Sequence, residues 1–576
     1  MKQKHTRSLL RLFLALAAAV MLASVCFASG AVSASRTSAR IYLNDDTVTI
    51  TGYEIGGNNY FKLRDLAYAL KDTTSCFDLA WNAGVNRVEV YTQRPYAGDA
   101  PENSWSNRTV QAVPASAELS VDGRTVSVTA YEINGNNYYK LRDMGELLSF
   151  STEWLEESGS ICIYTLDEHT RMAEGTAGST RKMSASISTQ RWAHLFQSYL
   201  YDEGGDVFYV VDGKPSALEN AVAVDVYDKE TFALKESRSV PMELESFGGF
   251  YAGETYNYMV FGQSNKEEND RKEVIRIVKY DKDFRRLDSA SITGGESFTT
   301  VPFDAGSLRM AENGNELVIH TARERYTTED GINHQSQLTI RLDTGTMRVK
   351  NAMGRYQENH VSHSFNQFAL FDGGRLVLVD HGDAYPRSVV INRANGSKYS
   401  ESDLLKIPGA TGANCTGVTV GGFEASRDNY LVAINTIDHS KVTSYDSFNM
   451  TGLDRDERDV VLLVQGKSGG NTRQVRLTDY VGKGKLGSTP YLVKLSADRF
   501  LVLWEEFAYE GDTSRSTDKG VRCVEVDGSG NPLTEVQTLQ NVRLSSDCQP
   551  VLVDGVVTWY VNMKAGRMFY QIDTQR

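Results

Sequence analysis

The sequence lacks most of the features that announce chemistry. Its 576 residues contain no Gly-x-Ser-x-Gly elbow, Walker loop, His-Glu-x-x-His or Rossmann glycine fingerprint. The Asp-box repeat of sialidase propellers, Ser-x-Asp-x-Gly-x-x-Trp, is absent as well. Cysteine is scarce: apart from Cys26 there are only Cys76, Cys162, Cys415, Cys523 and Cys548, without zinc-type spacing. An odd number of thiols excludes a complete disulfide framework, although Cys523 and Cys548, in consecutive strand-like stretches, form a candidate pair in an oxidising compartment. Positive charge is in deficit. With 61 Lys and Arg against 74 Asp and Glu, the formal net charge is −13, and an acidic surface repels phosphate backbones, so nucleic acid is not an expected partner. Beyond the first residues no apolar run approaches the ~20 residues that a membrane-spanning helix needs.

What is present begins at the N-terminus. Lys2, Lys4, Arg7 and Arg11 form a basic n-region at the start of an almost unbroken apolar run from Leu9 to Val25, and small residues follow, with Cys26-Phe27-Ala28 or Val32-Ser33-Ala34 as cleavage motifs. This is the pattern of a secretory signal peptide, read as residues 1–34, and it implies an extracellular or cell-surface location. The alternative is an uncleaved N-terminal anchor. Val25 stands where a lipidation site before Cys26 has a small residue, which argues against a lipoprotein.

A repeat follows. Tyr53-Glu54-Ile55-Gly56-Gly57-Asn58-Asn59-Tyr60-Phe61-Lys62-Leu63-Arg64-Asp65 recurs as Tyr131-Glu132-Ile133-Asn134-Gly135-Asn136-Asn137-Tyr138-Tyr139-Lys140-Leu141-Arg142-Asp143. Each copy is preceded by an alternating strand-like stretch, and Gly-Asn supplies a hairpin turn. Each continues into a short amphipathic helix, Leu63 to Leu70 or Leu141 to Leu148, and closes with a Trp and a strand. Two ββαβ-like units are expected, at 40–93 and 115–165, with linkers at 94–114 and 166–183. The doubled motif resembles the copper amine oxidase N-terminal-like, or stalk, domain of exported Gram-positive proteins. That resemblance implies positioning of the rest of the chain, with cell wall as a candidate surface, and no redox chemistry. Asn59-Tyr60 and Asn137-Tyr138 are followed by Phe61 and Tyr139, not by the acidic residue of the cofactor-forming context, so both tyrosines read as strand residues.

Beyond residue 183 the chain becomes a succession of short strands with Gly and Asp turns. An apolar strand recurs seven times, starting at Phe208, Tyr258, Leu317, Leu376, Leu431, Leu501 and Val557. A hairpin partner commonly precedes it and a third strand follows after a longer loop. This rhythm predicts a mainly β protein in which a seven-bladed β-propeller over 184–576 follows the two small α+β repeats. Ser184 to Ser188 is the candidate for the strand that closes the ring. A stack of β-sandwiches is the competing fold.

In a propeller blade, the start of strand one, the end of strand two and the start of strand three share one face. That rule gathers His320, Arg323, Arg325, His334, His360, His363, His381, Asp383, Arg387, His439 and Glu505 into a candidate ligand site spanning blades three to five and reaching blade six. Arg and aromatic side chains there suit an anionic or sugar ligand. No cofactor is expected; the alternative is a divalent ion held by His with Asp and Glu. His360-x-x-His363 ligates one ion only from a loop, because an extended strand turns the two side chains to opposite faces. The reading is therefore a non-catalytic exported binding or scaffold protein, with an extracellular glycan, such as cell wall, or a protein as partner. The rival is a propeller polysaccharide lyase or glycoside hydrolase using the same face.

Overall fold

The computed structural model describes residues 30–101, 109–175, 192–213, 220–509 and 516–575. The apolar run Leu9 to Val25 read as a leader, Cys26-Phe27-Ala28 and Ser184 to Ser188 lie outside these residues. The chain divides into two compact units, Met1–Thr165 and Leu166–Arg576.

The first unit is a single interlocked module with internal two-fold symmetry, not two separate mini-domains. Its centre is a closed barrel in the order Val32–Arg36, Gly52–Ile55, Asn58–Lys62, Asn136–Lys140, Ala130–Ile133 and Val110–Pro114. The two hairpins turn on Gly56-Gly57 and Asn134-Gly135, all four at positive φ, as a two-residue hairpin of this hand requires. The barrel interior repeats across the two-fold. Ala34 and Ala112 are both fully buried, and Tyr53 packs edge-on against Tyr138 (ring centroids 5.1 Å apart) as Tyr60 does against Tyr131 (5.2 Å). Burial pushes the Tyr60 hydroxyl up to about 12 and that of Tyr138 higher still.

The repeats also exchange strands. Arg87–Thr92 of the first repeat pairs in parallel with Glu118–Val121 of the second, and Ser160–Thr165 of the second pairs in parallel with Arg40–Leu43 of the first. The helices Leu63–Leu70 and Leu141–Leu148 bury Leu63, Leu66, Ala67 and Leu70, and Leu141, Met144 and Leu148, in one shared core. That spacing marks a single apolar helix face. Two expected boundaries change here. Val110–Pro114, in the stretch read as a linker, is a barrel strand. Val32 to Ala34, assigned to the leader, pairs with Ala112 to Val110.

The second unit is a seven-bladed β-propeller. Seven sheets of four or five strands follow one another, each an antiparallel meander. The seven apolar stretches of the sequence are the second strands: Val207–Asp212, Asn257–Gly262, Glu316–Arg325, Arg375–Asp383, Asn429–Thr436, Arg499–Tyr509 and Val556–Met563. Neighbouring blades cover these strands on both faces, which is why they read as continuous apolar runs. Asn257–Gly262, for example, is buried throughout, while the fourth strand Leu234–Pro241 is mostly exposed.

The first strands pack in a ring. Ser246–Ala252 touches Leu308–Asn313, which touches Ser364–Asp372, then Val418–Ala425, Tyr491–Lys494, Val551–Val553 and Ser198–Asp202. Tyr199 packs against Phe250 with ring centroids 5.8 Å apart and completes the circle. The last blade is closed by Thr170–Ala173, which pairs antiparallel with Gly566–Asp573. That strand lies inside the stretch read as a polar linker, and it joins the two ends of the propeller.

Blades three and six depart from the common plan. Their second strands run to 10 and 11 residues, and the overhanging ends pair with the extra strands Thr299–Pro302 and Lys485–Gly487. Blade five carries an inserted hairpin, Ser444–Asp446 with Asn449–Thr451. Cys523 and Cys548 are both buried, free thiols, and the disulfide considered from sequence does not form. Burial pushes these thiols up, to about 11 and about 12.

Candidate functional site

The overhang of blade three carries Arg323 and Arg325, two residues apart on a strand and therefore on the same face. The loop from blade three to blade four, ahead of Ser364–Asp372, folds against them. Arg323 Nη2 donates to Gly354 O (2.9 Å) and Arg355 O (3.3 Å), and the Arg325 guanidinium lies over the Tyr356 ring at 4.8 Å. His360 packs edge-on against the same Tyr356 ring, at 5.0 Å between centroids.

This cluster is under-neutralised. Arg323 is fully buried and Arg325 is 3% exposed, yet Nε and Nη1 of both lack hydrogen-bond partners, as does His360 Nδ1. No carboxylate forms an ion pair with either guanidinium among the described residues. Burial first, and the Arg325 charge second, push Arg323 down to about 9, which still leaves it charged at neutral pH. The same burial and both arginines push His360 down to about 4, so its ring is neutral. A buried cation without a counter-charge is costly, and the arrangement suits an incoming anion.

A second group lies at the junction of blades four and five. Asp383 bonds Arg387 closely and accepts from Asn414 N at 2.8 Å, and His363 Nδ1 stands 3.7 Å from its Oδ2. Arg387 donates to Cys415 O and lies over Tyr445, whose hydroxyl is 2.7 Å from His439 Nδ1. The His334 ring stacks beside His363 at 6.1 Å and its Nε2 is 2.7 Å from Asp330. His381 is buried, bonded to Thr416 at 2.9 Å, and burial with Arg387 and Arg458 holds it neutral, at about 3. His439 is pushed down to about 4 by burial and the same two arginines. Thr416 and Cys415 also line a cavity of about 310 Å³ under the inserted hairpin, together with Phe448, Met450, Arg455 and Arg458.

The other residues chosen from sequence stand elsewhere. His320 is fully buried between blades three and four, with both ring nitrogens engaged by Thr339 (2.9 Å) and Asp380 (3.1 Å), and serves the packing of the blades. Glu505 belongs to blade six, where it accepts from Leu544 N at 3.2 Å. Its neighbour Glu506 is held by Tyr480, Lys485 and Arg522. No group of three or more His, Cys, Asp and Glu among the described residues is arranged to hold a metal ion. The residue that sequence reasoning missed is Tyr356, 59% exposed above the arginine pair; an aromatic side chain in a polar loop just ahead of a first strand was its only signal.

No family model matches the chain, and no curated protein matches it. Similar solved structures include hydrazine synthase of Kuenenia stuttgartiensis (8% identity, TM-score 0.39, 69% of this chain and 99% of that one). The β-propeller domain of the Trilobed protease from Pyrococcus furiosus aligns at 11% identity and TM-score 0.36, over 66% and 96% of the two chains. The polysaccharide lyase Uly1 aligns at 11% identity and TM-score 0.33, over 70% and 99%. The class of the second unit, a seven-bladed β-propeller, rests on its own seven sheets.

Proposed function

We propose that this is an exported binding protein of the cell surface or surroundings, in which stalk-like repeats serve as a spacer and the propeller face at blades three to five takes an acidic extracellular glycan. The observation that carries this reading is Arg325, whose buried Nε and Nη1 find no hydrogen-bond partner among the described residues and whose guanidinium rests on an exposed tyrosine. A sugar carboxylate or sulfate supplies the missing charge, and Tyr356 offers an aromatic face to the ring that bears it. Binding of the mature chain to an array of uronate-containing, sulfated and neutral glycans tests it. Retention of acidic glycans by the wild type and their loss in Arg325→Met supports the reading; equal retention by both, or preference for neutral glycans at this face, refutes it.

A second reading, a polysaccharide lyase, has one observation in its favour: neutral His360, with Nδ1 unpartnered, lies beside Tyr356 and two arginines. In such a reaction the arginines neutralise the uronate carboxylate and His360 takes the proton from the adjacent carbon. A carbon–carbon double bond then forms as the glycosidic C–O bond breaks, and Tyr356 protonates the departing oxygen. Appearance of an unsaturated uronate on incubation with polyuronate, lost in His360→Gln, decides for this reading; intact polymer decides against it.

A further inference from the structure

The first unit carries a binding feature of its own. Two tryptophans stand open to water at matching places in the two repeats, Trp81 at 55% exposure and Trp154 at 49%. Phe77–Asn82 and Phe150–Leu155 have the same burial pattern, with a fully covered Phe at the start and the Trp outward at the fifth position. Trp81 pairs with Val88 as Trp154 pairs with Ile161. Neither indole has an aromatic or cationic partner among the described residues.

Trp154 borders a cavity of about 390 Å³ that is built across the two-fold. The hairpin of the first repeat contributes Glu54, Asn58 and Asn59, and the second repeat contributes Lys140, Arg142 and Thr152. Trp154 Nε1 is tied to Glu156 at 2.6 Å, which fixes the plane of the ring while its face stays open. An open indole face ringed by amide, hydroxyl, carboxylate and ammonium groups matches a pyranose. The apolar C–H face of the sugar stacks on the ring, and its hydroxyls take the surrounding donors and acceptors. The repeat matches Glu132, Asn136, Asn137, Lys62 and Arg64 to these groups in sequence, as it matches Trp81 to Trp154. There Leu79 and Ala80 replace Thr152 and Glu153, so this second position has fewer hydrogen-bonding groups.

We infer that the N-terminal module binds polysaccharide through two symmetry-related tryptophan platforms, the stronger at Trp154 and the weaker at Trp81. The ligand is a chain of uncharged pyranose rings. Two sites on one rigid module gain avidity from a polymer that reaches both, on the order of 10²-fold over a short oligomer.

The test uses the full mature chain with chitohexaose and cellohexaose as short probes and the corresponding soluble polymers as long ones, followed by calorimetry. At least one sugar is expected to bind, with its long form tighter than its short form. Trp154→Ala is expected to weaken the hexaose at least tenfold, Trp81→Ala to weaken it less, and the double variant to abolish the polymer advantage. Trp154→Phe, which keeps a ring, is expected to recover part of the affinity. Arg325→Met serves as the control that leaves this binding unchanged, which separates it from the propeller face. Absence of binding to both sugars, or unchanged affinity in the double variant with a native circular dichroism spectrum, overturns the inference.

Discussion

His320 Nε2 lies 3.1 Å from Asp380 Oδ2, both side chains wholly buried, and the bond joins blade three to blade four. Asp380 Oδ1 accepts from Ser364 Oγ at 2.6 Å, so one carboxylate satisfies groups from two adjacent blades. Asp380→Ala strips both of a partner in a place that water does not reach. A loss of about 3 kcal/mol or more in propeller stability is expected, measured by urea denaturation followed through the buried tryptophans Trp504 and Trp559.

The barrel strand Val32–Arg36 bears on the leader. Cleavage after Ala34 removes the residues that pair with Val110 to Ala112, along with a fully buried side chain of the barrel. Cleavage after Ala28 leaves the strand whole. On the proposal that the chain is exported, N-terminal sequencing of the mature protein is therefore expected to begin near Ser29. A recombinant chain beginning at Ser35 is expected to lose cooperative unfolding of its N-terminal module, whereas one beginning at Ser29 keeps it.

Closure of the propeller depends on Thr170–Ala173, which binds the last blade from the start of the unit. His169 extends the same contact, its Nδ1 3.1 Å from Gln571 O. Deletion of residues 167–174 exposes the edge of Gly566–Asp573. Such a deletion is expected to lower the unfolding temperature of the propeller and to promote aggregation, both read by thermal unfolding with light scattering.

Acid is expected to weaken the propeller before the carboxylates titrate. His360, His381 and His439 are held neutral by burial and by neighbouring arginines, at about 4, 3 and 4 in place of the usual 6.5. Below 6.5 the unfolded chain takes up protons that the folded chain refuses. Stability is thus complete above that value and falls as the pH drops toward 4. Denaturant midpoints between pH 7 and 4 measure the slope. His381→Gln, which still offers a donor to Thr416, is expected to make it shallower.

The repeated features of the fold were legible because they are local. A strand covered on both faces must be apolar, and the seven second strands announce themselves in the sequence for that reason. What escaped was pairing at a distance. Val110–Pro114 and Thr170–Ala173 are only five and four residues long, and only their partners make them strands. The exchange of Arg87–Thr92 and Ser160–Thr165 between repeats is a parallel pairing, which leaves no turn to be read. In the site, the blade rule placed Arg323, Arg325, His360, His363, Asp383, Arg387 and His439 near neighbouring blade junctions. It did not distinguish His320, which turns inward to Asp380, or Glu505, which bonds to the segment ahead of blade seven. The missing counter-charge at Arg325 is a property of the assembled surroundings and has no signature in the chain.

That missing charge allows the most direct test. An unpaired buried guanidinium costs stability until an anion meets it, so Arg325→Met, similar in length and apolar, is expected to raise the urea midpoint of the ligand-free propeller. Added oligo-glucuronate or a sulfated oligosaccharide is expected to raise the midpoint of the wild type and not that of the variant. A variant less stable than the wild type without ligand, or one whose midpoint rises with the same oligosaccharide by the same amount, contradicts the account.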